Sequence, residues 1–163
     1  MRTLLVMRHA RALPAAPGQS DHDRPLGPDG IAAARRMGRL LEDVDLVPAR
    51  VVTSTAVRAR ATAEQAIDAG AWDAPLDLEP GFYQASVEDV VAIVSTASEV
   101  ERLLIVGHQP TWGTLVAHLT GESVEMRTAT VAVVGLPVDT WADILSVRGS
   151  LVGVHHAPPA PGV

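Results

Sequence analysis

Short apolar runs mark where strands are expected along the chain. Three of them, at residues 3–7, 50–53 and 103–107, are separated by longer segments of different periodicity. A short run of this kind is typical of a strand covered on both faces within a parallel sheet. Two further runs, 130–136 and 141–147, are rich in β-branched residues and predict a terminal pair of strands joined by a turn.

The segments between these runs show helical spacing and helix-start signals. Pro28 stands where the first turn of a helix is expected, and Ser86-Val87-Glu88-Asp89 has the form of a capping box. Helices are predicted at about 28–44, 55–69, from 86 onward and 110–121. Strands and helices that alternate in this order predict an α/β fold, a three-layer α/β/α sandwich with a mostly parallel central sheet.

Length and composition indicate one domain and exclude several classes of partner. The 163 residues, 47% of them hydrophobic, are enough for one core. We assign a single domain to residues 1–155 and expect the Pro/Ala-rich segment 156–163 to be a flexible tail. A net charge of −6 without blocks of like charge argues against nucleic acid and anionic membrane as partners. We expect a monomer or weak dimer.

The N-terminal sequence indicates where the protein is found, and the residue types that the sequence lacks exclude several kinds of chemistry. The first apolar run meets Arg8 and His9 too soon for a signal peptide, and no run approaches the roughly 20 residues that cross a bilayer, so we expect a cytoplasmic protein. The sequence contains neither cysteine nor lysine. This excludes thiolate nucleophiles, lysine-based phosphate loops and Schiff bases. Every side chain with a permanent positive charge is an arginine.

Charged and polar residues follow each of the three predicted parallel strands. Arg8 and His9 follow the first, Ser54 and Arg58 follow the second, and His108 follows the third. The ligand crevice of an open α/β sheet forms beyond the carboxyl ends of its strands. We therefore expect these side chains to face one cavity.

Two histidines and two arginines around one cavity suit phosphoryl transfer. A guanidinium can hold two phosphate oxygens at once, and a helix N-terminus favours anions. Nearby arginines disfavour a second positive charge, which keeps an imidazole neutral and able to attack phosphorus. No His/Asp cluster has metal-ligand spacing, so we predict a metal-independent reaction without a cofactor.

At this point the sequence resembles the histidine phosphatase superfamily, and in particular its small SixA-type branch of phosphohistidine phosphatases. The matching segments are Arg8-His9-Ala10-Arg11-Ala12, Asp23-Arg24-Pro25-Leu26 with Gly30, Ser54 with Arg58, Ala59 and Thr62, and Gly107-His108. Ala10, Thr55 and Ala61 depart from the family pattern, where glycine, proline and glutamine are usual.

The resemblance implies roles for several of these residues. His9 would be the nucleophile, and Arg8, Arg58 and His108 would bind and stabilise the transferring phosphoryl group. Arg24 and Ser54 are the further substrate-binding candidates. Many members also carry a glutamate that protonates the leaving group, for which Glu79, Asp21 and Asp23 are candidates without a trusted spacing; Glu79 is included with the substrate-binding residues.

The substrate prediction follows from the lack of a carboxylate that matches the family's general acid. The P–N bond of phosphohistidine needs less acid catalysis than an ester does. A short chain without a capping insertion also suits a protein partner. We therefore favour a phosphorylated protein carrying phosphohistidine, in signalling or phosphotransfer. Two alternatives stay open: a phosphatase for a small phosphorylated metabolite, such as a sugar or nucleotide phosphate, and a phosphate-binding module without turnover.

Overall fold

The computed structural model describes residues 1–162 and shows an α/β/α sandwich around one six-stranded sheet. The strands are β1 (Arg2–Arg8), β2 (Arg50–Ser54), β3 (Leu76–Glu79), β4 (Arg102–Gly107), β5 (Val131–Leu136) and β6 (Ser150–His155). Their order across the sheet is β3-β2-β4-β1-β5-β6. The first four are parallel, whereas β5 and β6 run antiparallel to their neighbours. The predicted fold class is confirmed.

Four α-helices and two short 3-10 helices cover the sheet. The α-helices are α1 (Pro28–Asp43), α2 (Val57–Gly70), α3 (Val87–Ser95) and α4 (Thr111–Thr120), and the 3-10 helices span Pro80–Phe82 and Trp141–Ser146. The capping box at Ser86 is present, with Ser86 and Asp89 each accepting from the other's backbone N–H. Each predicted helix is therefore found within a few residues of its expected bounds.

Both faces of the central strands are buried, which explains their unbroken apolar runs. Along β1, Leu4 and Val6 pack into the core beneath α3 and α4, while Leu5 and Met7 pack into the core beneath α1 and α2. All four are fully buried. The helices of the second core lie very close together, since a Cβ on Gly38 of α1 would lie 2.2 Å from a backbone oxygen of α2.

The prediction of a strand at 141–147 is wrong. Residues Trp141–Ser146 form a 3-10 helix, and the last strand, β6, begins at Ser150. Only Trp141 and Ile144 of that helix are buried, a spacing of three that suits a helical turn, and the Thr140 side chain accepts from the N–H of Ala142. The short edge strand β3 was not predicted at all.

The beginning of the predicted tail contacts the domain. Arg36 Nε donates to the carbonyl oxygen of Pro158 at 2.7 Å, and the Thr130 hydroxyl lies 2.8 Å from His156 Nδ1. The mobility of segment 156–163 stays a prediction, and its last residue lies outside the described part. Within residues 1–162, no helix combines the length and apolar content that crossing a membrane requires.

Candidate active site

The register of the parallel strands brings the two histidines together. Arg8 at the end of β1 pairs with Gly107 at the end of β4, so the next residue in each chain segment is a histidine. The rings of His9 and His108 lie 5.3 Å apart, centroid to centroid. The sequence prediction that both face one site thus agrees with this geometry.

The hydrogen bonds of His9 leave Nε2 as the unprotonated ring nitrogen. Nδ1 lies 2.7 Å from the carbonyl oxygen of Ala10, and because a carbonyl only accepts, Nδ1 carries the hydrogen. Arg58 Nε donates weakly to Nε2 at 3.4 Å. The buried Thr62 hydroxyl accepts from the Ala10 N–H at 2.9 Å and fixes this turn. The ring is therefore held in the tautomer that a nucleophile attacking through Nε2 requires.

Arg58, in the first turn of α2, is the most buried cation at the site. Its side chain is 8% exposed. Nη1 donates to the carbonyl oxygen of Asp21 at 2.8 Å, and Nη2 donates to the Asp21 carboxylate at 3.1 Å. Arg24 also donates to that carboxylate, at 3.1 Å. Asp21 thus supplies the negative charge that offsets two adjacent guanidinium groups.

Arg8 is the last residue of β1, and Ser54 is the last residue of β2. Arg8 Nη1 donates to the carbonyl oxygen of Met126 at 3.1 Å, and its buried Nε has no hydrogen-bond partner among the described residues. The fully buried Ser54 hydroxyl lies 2.8 Å from His108 Nε2, while His108 Nδ1 is buried and unpartnered in the same part of the chain. Both nitrogens are thus buried polar atoms that no described protein group satisfies.

Burial and nearby positive charge keep both histidines neutral. Desolvation is the main cause that lowers the pKa of His9 to about 4; the hydrogen bond to Ala10 opposes it, and Arg58, Arg8 and Arg24 add to it. The pKa of His108 falls to about 3, chiefly through desolvation and then through the charge of His9. A neutral His9 is nucleophilic at physiological pH.

These lowered pKa values predict a pH-dependent stability. Between about pH 3 and pH 6.5 an unfolded chain protonates His108 while the folded chain does not, so the free energy of unfolding should decrease as pH falls through this window. We expect the His108→Asn variant to lose less stability than the wild type between pH 7 and pH 5 in urea titrations. The exposed His118→Asn variant is the control and should follow the wild type; equal losses in all three would contradict the prediction.

Tyr83 is a site residue that the sequence analysis missed. It follows the 3-10 helix after β3, and its hydroxyl donates to the Asp21 carboxylate at 2.7 Å. Its ring forms T-shaped contacts with the rings of His108 and His22, with centroids 5.6 Å and 4.9 Å away. Tyr83 is the single tyrosine of the chain, and no motif marked it. Its neighbour Phe82 is buried against Trp112, which anchors this segment.

The three carboxylates considered as acids are placed differently. Among them, only Asp21 forms hydrogen bonds with the side chains of Arg58, Arg24 and Tyr83. Glu79 accepts from the Gly81 N–H at 2.9 Å and lines a separate cavity of about 250 Å³ with Arg50 and Asp77, so its inclusion with the substrate-binding residues finds no support in this geometry. Asp23 is exposed and contacts the His22 ring at 3.4 Å. The pKa of Asp21 is held well below its usual range, first by Tyr83 and then by Arg24 and Arg58.

A cavity of about 330 Å³ opens beside Arg58, Tyr83 and His108. It is lined by residues of four chain segments, Asp21, Arg58, Phe82, Tyr83, Gln84, Ala85, His108, Gln109, Pro110 and Thr111. Within residues 1–162, no group of three or more histidine, aspartate or glutamate side chains is arranged to hold a metal ion. The arrangement offers a neutral imidazole and several N–H donors, the groups that transfer of a phosphoryl group to histidine uses.

Comparison with known proteins places this chain in a family. A model of the histidine phosphatase superfamily (branch 1) matches residues 4–90. An uncharacterized protein of Mycobacterium tuberculosis is 36% identical over 163 residues, covering 91% of this chain and 98% of its own. Both the match to the family model and a relative of nearly the same length therefore support membership of this family.

Solved structures agree with this placement. A protein of Nakamurella multipartitia, provisionally named a phosphohistidine phosphatase SixA, has a TM-score of 0.83 with 30% identity over 97% of both chains. A protein histidine phosphatase SixA solved with tungstate has a TM-score of 0.82 with 26% identity, covering 95% of this chain and 97% of that one. The chain therefore belongs to the histidine phosphatase superfamily, and its class of activity is that of a phosphatase.

Proposed function

We propose that this phosphatase removes phosphoryl groups from phosphohistidine on a partner protein, through a phosphorylated His9. The observation that carries the proposal is the state of His9, whose Nε2 is unprotonated and lies 3.4 Å from Arg58 Nε. A phosphoryl group that forms a bond to Nε2 would lie within reach of that guanidinium. Arg8, Arg58 and His108 would stabilise the charge on its equatorial oxygens.

The reaction would proceed in two displacements. In the first, His9 Nε2 attacks phosphorus, and the bond from phosphorus to the substrate nitrogen breaks. In the second, water attacks the phosphorylated His9, which releases inorganic phosphate and returns the ring to its neutral form with hydrogen on Nδ1. The hydrogen bond from Nδ1 to Ala10 is available to the ring in both states.

The protonation state of the nearby carboxylates favours a phosphoramidate substrate. Asp21 is ionised because its pKa is strongly lowered, and Glu79 lines another cavity. A protonated carboxyl that could donate to an alkoxide leaving group is therefore not found among the described side chains at the site. An ester needs such a donor, whereas a protonated phosphoimidazole does not. The similarity to proteins named SixA supports the same substrate class.

Two measurements test the proposal. The wild-type protein, without added metal, should hydrolyse a carrier protein phosphorylated on histidine far faster than sugar phosphates. Acid-quench and base-quench experiments should show a phosphoryl adduct that is stable in base and labile in acid, mapped to His9. The His9→Asn variant should form no adduct.

Other outcomes would favour the alternatives. Sugar or nucleotide phosphates hydrolysed much faster than phosphohistidine would replace the proposed substrate by a small metabolite. Absence of turnover on every substrate, including an aryl phosphate, would leave only a phosphate-binding module. An adduct mapped to any residue other than His9 would refute the proposed nucleophile.

A further inference from the structure

We infer that Asp21 and Tyr83 form a leaving-group subsite for a positively charged imidazole ring, so that the enzyme selects phosphohistidine by the charge of its ring. This inference rests on the proposed function and names residues that would carry its specificity. In this subsite the Asp21 carboxylate stays ionised and accepts a hydrogen bond. It does not act as a carboxylic acid that donates a proton.

The cavity brings these two residues next to the proposed phosphoryl site. In an in-line displacement the leaving nitrogen lies on the far side of phosphorus from His9 Nε2. Arg58 contacts His9 and also lines the 330 Å³ cavity, together with Asp21 and Tyr83. A phosphoryl group held by Arg58 therefore has the two proposed subsite residues as its neighbours.

Asp21 is charged, reachable and has an acceptor position to spare. A carboxylate accepts about four hydrogen bonds, and the side chains of Tyr83, Arg58 and Arg24 use three of them. Tyr83 and Arg58 donate to Oδ2 and Arg24 donates to Oδ1, so Oδ1 can accept one more hydrogen bond. The side chain is 54% exposed. A ring N–H that enters the cavity can therefore donate to Oδ1.

The charge of the leaving ring removes the need for an acid. Phosphoimidazole is protonated on the ring nitrogen that is not bonded to phosphorus. When His9 Nε2 forms its bond to phosphorus, the substrate P–N bond breaks, its electron pair returns to the ring nitrogen, and neutral imidazole departs with its original hydrogen. The Asp21 carboxylate accepts a hydrogen bond from that N–H throughout, and no proton changes hands.

With an ester substrate, the charge of Asp21 would be unfavourable. Its bridging oxygen gains negative charge as the bond to phosphorus breaks, and an adjacent ionised carboxylate opposes that charge. Tyr83 adds a second preference, because the face of an aromatic ring attracts a cationic ring. Its own ring is held by T-shaped contacts with His108 and His22 and by its hydrogen bond to Asp21.

The test compares two substrates in the Asp21→Asn variant of the full chain. Asparagine keeps the shape and an acceptor oxygen for Tyr83 but removes the charge. The measured quantity is the ratio of kcat/KM for phosphoimidazole to kcat/KM for 4-nitrophenyl phosphate. We expect this ratio to fall at least tenfold, the size of effect that one charge-assisted hydrogen bond gives. The ratio within one variant does not depend on the fraction of folded protein.

Matched variants separate the subsite from general effects of charge. Asp23→Asn removes the same charge two residues away, at a side chain that contacts His22, and should keep the wild-type ratio. Tyr83→Leu should lower the ratio, and Tyr83→Phe, which retains the ring, should lower it less. An Asp21→Asn ratio equal to or above the wild-type value would overturn the inference.

The failure of this inference is distinguishable from failure of the proposed function. Wild-type protein that hydrolyses 4-nitrophenyl phosphate but leaves phosphoimidazole and phosphohistidine intact would refute the proposed substrate. Wild-type protein that prefers phosphohistidine, with a ratio that Asp21→Asn does not change, would refute only the Asp21 subsite.

Discussion

Replacing His9 with alanine is expected to abolish turnover and to leave the fold intact. The variant removes the unprotonated Nε2 on which the proposed covalent intermediate forms, and the Nε2 of His108, the other ring beside it, is engaged with Ser54. Loss of a covalent nucleophile lowers kcat by at least about 10⁴-fold in well-characterised enzymes. Steady-state hydrolysis of an aryl phosphate measures the loss.

The stability of that variant distinguishes a chemical effect from an unfolded protein. The His9 ring follows β1 and belongs to neither apolar core, and its hydrogen bonds are with the Ala10 carbonyl oxygen and the Arg58 side chain. The cooperative urea transition should therefore persist. His118→Ala, at an exposed position of α4, is the matched control and should retain wild-type kcat. A His9→Ala protein that keeps the wild-type rate would refute the covalent mechanism.

The predicted placement of side chains at one edge of the sheet agrees with the structure where it depended on strand ends. Continuous apolar runs located β1 and β4, and parallel strands end at the same edge of a sheet. The residues after Arg8 and Gly107 therefore had to be neighbours, and both are histidines. Arg58 could be placed as well, since it stands in the first turn of the helix that follows β2. Local pattern was sufficient for these three side chains.

The remaining parts of the site depend on contacts between distant segments. Tyr83 and Asp21 are 62 residues apart and lie in loops, where the direction of a side chain is set by the packing of other elements. The same limit explains β3, whose Leu76–Glu79 contains two acidic residues and has little strand propensity. Its strand conformation comes from pairing with β2. Sequence could name Asp21 as a candidate acid but could not show that its neighbours keep it ionised.

Replacing Arg58 with alanine is the second large expected effect, a loss of about 10²-fold or more in kcat, by analogy with the removal of one preorganised donor to a developing anion. The guanidinium is 8% exposed and lies 3.4 Å from the nucleophilic nitrogen, so its charge acts at short range with little screening. Arg58→Lys should recover only part of the loss, because an ammonium cannot present a planar pair of donors. Arg60→Ala, an exposed position on the same helix paired with Glu64, is the control and should keep wild-type kcat.

A double variant separates two ways in which Arg58 could act. If Arg58 served only to neutralise Asp21, removing the Asp21 charge would restore activity to Arg58→Ala. If Arg58 stabilises the phosphoryl group directly, the Arg58→Ala/Asp21→Asn protein should remain at least about 10²-fold below Asp21→Asn on 4-nitrophenyl phosphate. We expect the second result, because Arg58 Nε points at the nitrogen of His9 that would carry the phosphoryl group, whereas Nη1 and Nη2 contact Asp21. A double variant that matches Asp21→Asn would limit Arg58 to neutralising the carboxylate.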